Sequence, residues 1–194
     1  FIINCKDILL LFMRFLTANY IYPLHVEPIK EGVLQISNNG EVVSLFSSRD
    51  LVSSHNLEVF EGVLAPGFVN AHCHLELSHL KANTNSKGVG FFNFVKSVQN
   101  RTSIMQHEII SAIECAETQM IKNGIVGVGD ICNTADTFSQ KKKRRIEYYN
   151  FIEVFGVEDK KVNQIILEAK ALRNQGFEND CSNKNLLYNC WRFC

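Results

Sequence analysis

The rhythm of apolar and polar positions changes along the chain, and each change marks a different kind of structure. From Met13 to about Glu61 the pattern is that of β-strands, with no helical period. Arg14 to Tyr22 mixes aromatic and β-branched residues up to Pro23. Val33-Leu34-Gln35-Ile36 and Val42-Val43-Ser44-Leu45-Phe46 flank Asn38-Asn39-Gly40, a turn signal between paired strands. This predicts a small antiparallel β unit. At Pro66-Gly67 the character shifts, and Phe68 to His74 reads as a mostly apolar strand of a sheet buried on both faces. A polar loop through Asn83, Asn85 and Gly88 follows, and Phe91, Phe92, Phe94 and Val95 mark a short amphipathic segment.

Beyond that segment the period becomes helical. Ile109, Ile113, Ala116 and Met120 fall on one face of a helix expected from about His107 to Asn123, with Asn123-Gly124 as its stop. Ile125 to Gly129 predicts a short buried strand ending on Asp130, and Tyr148 to Phe155 predicts another, ending before Gly156. Val162, Ile165, Ile166, Ala169 and Leu172 trace a second helix face that Gly176 is expected to close. Strand, helix, strand, charged connection, strand, helix is the order of parallel βα units behind a β prelude. After Phe177 the rhythm stops. In "ENDCSNKNLLYNCWRFC" only Leu186-Leu187-Tyr188 resembles the stub of a further strand.

Composition removes several function classes. With 46% hydrophobic residues the chain is neither disordered nor collagen-like. Twenty basic and twenty acidic side chains cancel, so no global field draws it to nucleic acid or a membrane. The one like-charge block, Lys141 to Arg145, reads as a solvated loop, without the interleaved aromatics of a nucleic-acid surface. Seven cysteines at irregular spacing, with no CxxC pair, read as free thiols of a reducing cytoplasm. Ile8 to Met13 is far short of the roughly 20 apolar residues of a membrane span. No convincing cleavage site follows it, and a cytoplasmic protein is expected.

The sharpest chemical signal is Ala65-Pro66-Gly67-Phe68-Val69-Asn70-Ala71-His72-Cys73-His74. Residues two apart on a strand share a face, so His72 and His74 can aim their imidazoles at one point while Cys73 faces away. Two such nitrogens make a ligand pair for a borderline divalent metal, zinc first and iron second. A bare HxH is a weak signal, which satisfied structural histidines explain as well. At the end of an apolar strand, after a Pro-Gly turn and a β prelude, it is much stronger. A cupin is disfavoured because Gly67 stands one residue too close to His72 and Glu76 comes too early for that family's later Glu. Glu76 shares the parity of the two histidines, which makes it a candidate substrate contact or salt-bridge partner.

With "GVLAPGFVNAHCHLELSHLK", "NGIVGVGDICNT" and "YYNFIEVFG" in this order, the chain resembles the amidohydrolase superfamily in its deaminase and chlorohydrolase branch. The resemblance runs over roughly residues 13 to 177. It implies an N-terminal β segment followed by a TIM-type (β/α)8 barrel, with His72 and His74 as metal ligands on the first barrel strand. It also implies hydrolysis of a C–N bond, usually deamination of an amino-substituted heterocycle by a metal-activated water. In that family two further His, one Asp and a proton-shuttling Glu lie on later strands. No residue of this chain matches those later positions, so no catalytic residue is assigned. His79 and His107 read as structural or exposed. Asp130 and Glu153, at expected strand ends, are positions that could face the barrel mouth.

A TIM barrel needs about 250 residues, so the roughly 130 after the prelude suffice for the first three to four βα units of an incomplete barrel. The expected organisation is a non-native leader (1–12), the β segment (13–63), the partial barrel (64–178) and an aberrant tail (179–194), with a frameshift or premature stop near Asn179. The partner expected of the complete enzyme is a small-molecule substrate. The alternative is a non-catalytic remnant or interaction fragment. Substrate identity and oligomeric state have no signal in the sequence.

Overall fold

A computed structural model describes residues 13–52, 57–82, 104–154, 159–178 and 187–190. The polar loop and amphipathic segment expected between 83 and 95, the leader 1–12 and most of the tail lie outside the described residues. Two compact units meet in sequence between Pro66 and Gly67.

The first unit is all β. Its larger sheet has the order β5-β4-β1-β6, built from β1 (Met13–Thr17), β4 (Val33–Ser37), β5 (Val42–Phe46) and β6 (Leu57–Val59). A smaller sheet has the order β3-β2-β7, from β2 (Tyr20–Ile21), β3 (Ile29–Lys30) and β7 (Val63–Leu64). β4 and β5 form the expected hairpin, with Gly40 at φ 83° in the turn. The unit is not purely antiparallel, however: β1 pairs parallel with β6, and β2 parallel with β7. β4 runs against β1, the hairpin restores the direction of β1 in β5, and β6 follows past Arg49–Leu51 in that same direction. Phe15, Val33 and Ile36 are buried in this unit, and the buried Thr17 hydroxyl donates to the Gly32 carbonyl at 2.7 Å.

The second unit is a parallel sheet of order β11-β10-β9-β8, from β8 (Phe68–Cys73), β9 (Ile125–Cys132), β10 (Glu147–Val154) and β11 (Leu187–Cys190). Helix α1 (Gln106–Lys122) links β8 to β9, the single turn α2 (Phe138–Lys141) lies between β9 and β10, and α3 (Val162–Glu178) precedes β11. Glu108 closes the start of α1 by accepting from the Met105 amide at 3.1 Å, and Gly124, at φ 75°, takes the left-handed conformation that ends it. The apolar stripe of α1, Ile109 and Ile113, packs on Val128, Ile146, Tyr148 and Leu75, with Cys73 at its margin. Ala169 of α3 packs on Cys132 and Ile152.

Three expectations change here, and the strand stub is met. β9 runs two residues past Asp130, so Asp130 lies inside the strand. Gly176 lies within α3 and does not end it. The stub around Leu187 is a strand in parallel register with β10. β8 is not buried on both faces, since Phe68 and Val69 are 64% and 68% exposed.

Replacing Ile113, which is fully buried, by Ala should cost about 2–5 kcal/mol of unfolding free energy through lost contacts and a cavity. The same truncation at Leu167, 65% exposed, should stay within about 0.5 kcal/mol. Urea unfolding of the two variants measures both, and equal losses would contradict the packing described.

Candidate active site

The backbone of β8 sets the two histidines. Asn70 stands opposite Val128 and Cys73 opposite Asp130, so three steps on β8 span two on β9. This is a bulge, which breaks simple alternation and re-aims the side chains beyond it. Asn70 reaches α1, its amide 3.9 Å from Met120 Sδ, and Cys73 packs on the same helix-covered side. Within the bulge the His72 amide donates to Asn70 Oδ1 at 3.4 Å.

With Cys73 turned to the helices, alternation puts His72 and His74 on the opposite face. Their ring centroids are 5.2 Å apart with planes at 61°. His72 is exposed and His74 half-buried, and the shielded Nδ1 of His74 has no hydrogen-bond partner. An orphaned imidazole nitrogen beside a second imidazole fits a metal such as zinc, which takes neutral histidine nitrogens. Among the described residues no group of three His, Cys, Asp or Glu side chains forms around the pair.

Gly129 fits this strand closely. A Cβ there would lie 2.7 Å from the Ala71 carbonyl oxygen and 3.3 Å from the Phe151 ring. Any larger residue would force β8 away just before His72.

Beyond His74 two carboxylates fasten the chain. Asp130 Oδ1 accepts from the Leu75 amide at 2.8 Å, and its Oδ2 accepts from Lys141 Nζ at 2.5 Å. Lys141 also donates to Asn150 Oδ1 at 2.5 Å and reaches Cys132 Sγ at 3.2 Å, while its ammonium lies 5.2 Å from the Tyr148 ring centroid. Asn150 is the register partner of Asp130 on β10. Burial pushes the Lys141 ammonium toward neutrality, but the charge of Asp130, with Cys132 and the hydrogen bonds of both, outweighs it and holds the pKa above the ordinary lysine value.

Glu76 is 1% exposed. Its Oε2 accepts from the Asn133 and Thr134 amides at 3.0 and 2.8 Å and from the Thr134 hydroxyl at 2.9 Å.

Two sequence expectations are therefore corrected. Lys141 is not part of a solvated loop, because its side chain is completely buried; Lys142 to Arg145 are exposed. Asp130 does not face the mouth, because it lies on the helix-covered side with Cys132 and Asn150. Alternation from Phe151 leaves Glu153 on the histidine side. His107 is exposed in the first turn of α1, whereas both ring nitrogens of His79 are shielded and unpartnered. Sequence reasoning missed Lys141, Asn150 and the buried Glu117. Glu117 accepts from the Tyr148 hydroxyl at 3.0 Å and from Gln140 Nε2, with Arg145 Nη1 at 3.4 Å.

No family model matches the chain. An adenosine deaminase of Helicobacter pylori is 31% identical over 94 residues, 48% of this chain and 22% of that protein. The crystal structure of Helicobacter pylori aminofutalosine deaminase in complex with methylthio-coformycin superposes with TM-score 0.70 at 21% identity, over 92% of this chain and 43% of that one. In fold the chain resembles deaminases and chlorohydrolases of the amidohydrolase superfamily. The atrazine chlorohydrolase of Arthrobacter aurescens, complexed with zinc, superposes with TM-score 0.61 at 11% identity, over 83% of this chain and 42% of that one. The chain spans less than half the length of each of these proteins. Among its described residues no helix is long and apolar enough to cross a membrane.

The buried cluster makes alkaline pH destabilising. Burial, then the charge of Asp130, outweighs the opposing charge of Lys141 and raises the Cys73 thiol from 9.0 to about 12. Burial raises Cys132 and Tyr148 in the same direction. The folded form therefore holds protons that the unfolded chain releases. The associated stability is complete below the ordinary thiol value near 9.0 and is lost as pH climbs toward about 12. Urea midpoints should fall over that window, less steeply in Cys73→Ala. A flat profile would contradict the burial of these protons.

Proposed function

We propose that this chain supplies the metal-binding first part of a metal-dependent hydrolase acting on C–N bonds, in its specific form a deaminase of an amino-substituted heterocycle. The observation that carries this proposal is the His72–His74 pair, 5.2 Å apart at the end of a parallel strand, on the face opposite the helices. In α/β barrels that end of the strands is where catalytic groups gather. The similarity to deaminases and to a zinc-complexed chlorohydrolase supports the same chemistry. In the complete enzyme β8, β9, β10 and β11 would be the first four strands of a (β/α)8 barrel.

His72 and His74 would hold the metal through neutral ring nitrogens, with zinc the best match to two imidazoles. A divalent metal bound there supplies the Lewis acidity that generates a nucleophile from water near neutral pH. The chain's own residues keep the two donors in place. The bulge and Gly129 fix the approach of β8, and Asp130 and Glu76 fasten the segment after His74. Glu76 Oε2 is engaged with the loop after β9. The substrate would be a small heterocycle, as in relatives whose structures hold methylthio-coformycin or guanine.

A second proposal is that the 194-residue chain is by itself catalytically silent. It is favoured by the absence of a third metal-ligating side chain beside the pair among the described residues. A catalytic zinc site normally has three protein ligands.

Equilibrium dialysis should show weak zinc binding to the chain, reduced at least tenfold by His72→Ala. Ammonia release from a panel of aminopurines should be undetectable. Tight binding of one zinc that His72→Ala leaves intact would overturn the assignment of the pair. Turnover by the chain alone would overturn its catalytic silence.

A further inference from the structure

We propose that Asp130 and Lys141 form a positioning pair for the His72–His74 site: Lys141 holds the Asp130 carboxylate in place, and Asp130 fixes the backbone immediately after His74. The role assigned to the histidines rests on the metal-dependent hydrolase proposed above; the mechanical coupling rests on geometry alone.

The chain of contacts is short and complete. Leu75 donates its backbone N–H to Asp130 Oδ1 at 2.8 Å, and this amide belongs to the peptide unit whose carbonyl is that of His74. Holding that peptide plane restricts the backbone rotation next to His74 and therefore the direction of its side chain. The acceptor is not on a mobile loop. Asp130 lies in the middle of the parallel sheet, 0% exposed, and its register partners are Cys73 and Asn150. Its other oxygen takes the ammonium of Lys141 at 2.5 Å, and Asn150 Oδ1 accepts from the same ammonium.

Stability alone is a weak explanation for this arrangement. Replacing a buried ion pair by well-packed apolar residues is often neutral or stabilising, whereas removing one partner strands a charge. What an apolar replacement cannot supply is the acceptor for the Leu75 amide. The segment past His74 is held a second time by Glu76, so its whole course is set by carboxylates reaching across between β8 and the β9 end. Asp130 acts on the peptide nearer His74 and is the stronger candidate for control of its ring.

Two double variants separate positioning from folding. Lys141→Met with Asp130→Asn removes both charges but keeps a side-chain oxygen for the Leu75 amide. Lys141→Met with Asp130→Leu removes the charges and the oxygen. Three quantities are measured on the full chain: urea stability, hydrogen exchange of the Leu75 amide, and the NMR signals of the His72 and His74 rings with and without zinc. The Asn version should keep Leu75 protection and both ring signals close to the parent. The Leu version should exchange Leu75 at least tenfold faster than its global stability explains, with shifted His74 signals and at least tenfold weaker zinc binding.

Native Leu75 protection together with unshifted ring signals in the Leu version would overturn the proposal. If zinc leaves the ring signals of the parent chain unchanged, the metal assignment fails instead, and Leu75 exchange still decides the positioning. If a variant loses its cooperative transition, Asn150→Ala in the parent background replaces it. That change leaves the Asp130 acceptor in place but frees one Lys141 donor, and the proposal then requires faster Leu75 exchange. Unchanged exchange overturns it.

Discussion

An ammonium buried beside a carboxylate dominates the second unit. Neither Lys141 nor Asp130 has any exposed side-chain surface, and the 2.5 Å contact with Asp130 opposes the burial that would otherwise neutralise the Lys141 ammonium. Separating either from the other would leave an uncompensated charge in the interior, at a cost of about 3–5 kcal/mol. The pair therefore fixes more than itself. It ties the last residue of the single turn α2, Lys141, to the sheet, where Asn150 on β10 is a further acceptor. Through Leu75 it dictates where the chain goes after β8.

The second constraint is steric and acts on the other side of the same strands. β8 approaches β9 so closely that Gly129 has no room for a side chain, and the bulge between Asn70 and Cys73 absorbs one extra residue at that point. The two features belong together. A bulge lets Asn70 and Cys73 share the helix-covered face although they are three residues apart, and it leaves His72 and His74 on the opposite face. Without the bulge, a Cys73 facing the helices would put Asn70 on the histidine side and away from Met120. Backbone geometry, then, decides which side of the sheet carries the two histidines.

How much of this was legible in the sequence depends on the range of the interaction. The helix at Gln106–Lys122 and the strands near 125 and 148 arise from local apolar period, and the structure places all three. The pairing of His72 with His74 survives because the two flank Cys73, which the bulge turns toward the helices. Lys141 was not legible. In a run of five cations its neighbours are solvated, and only a tertiary contact with Asp130, eleven residues earlier, singles it out. Asp130 was misplaced for a related reason: an acidic residue after an apolar run looks like a strand end, and nothing local announces that a buried lysine will meet it. The parallel pairing of β1 with β6 was equally hidden, because strand direction depends on the return of the chain and not on the alternation within either strand.

Charge accounting also narrows what the histidine pair can bind. The buried carboxylates of the second unit are already engaged: Asp130 with Lys141, Glu117 with Tyr148, Gln140 and Arg145, and Glu76 with backbone amides and Thr134. These partners hold them on the helix side or against the loop after β9. What the described residues offer at the end of β8 is therefore a pair of nitrogen donors, not a carboxylate cage. Hard cations such as magnesium and calcium prefer oxygen ligands, whereas imidazole suits zinc and its first-row neighbours. For the metal site proposed above, each carboxylate held by an internal partner would be one fewer oxygen ligand beside the two imidazoles.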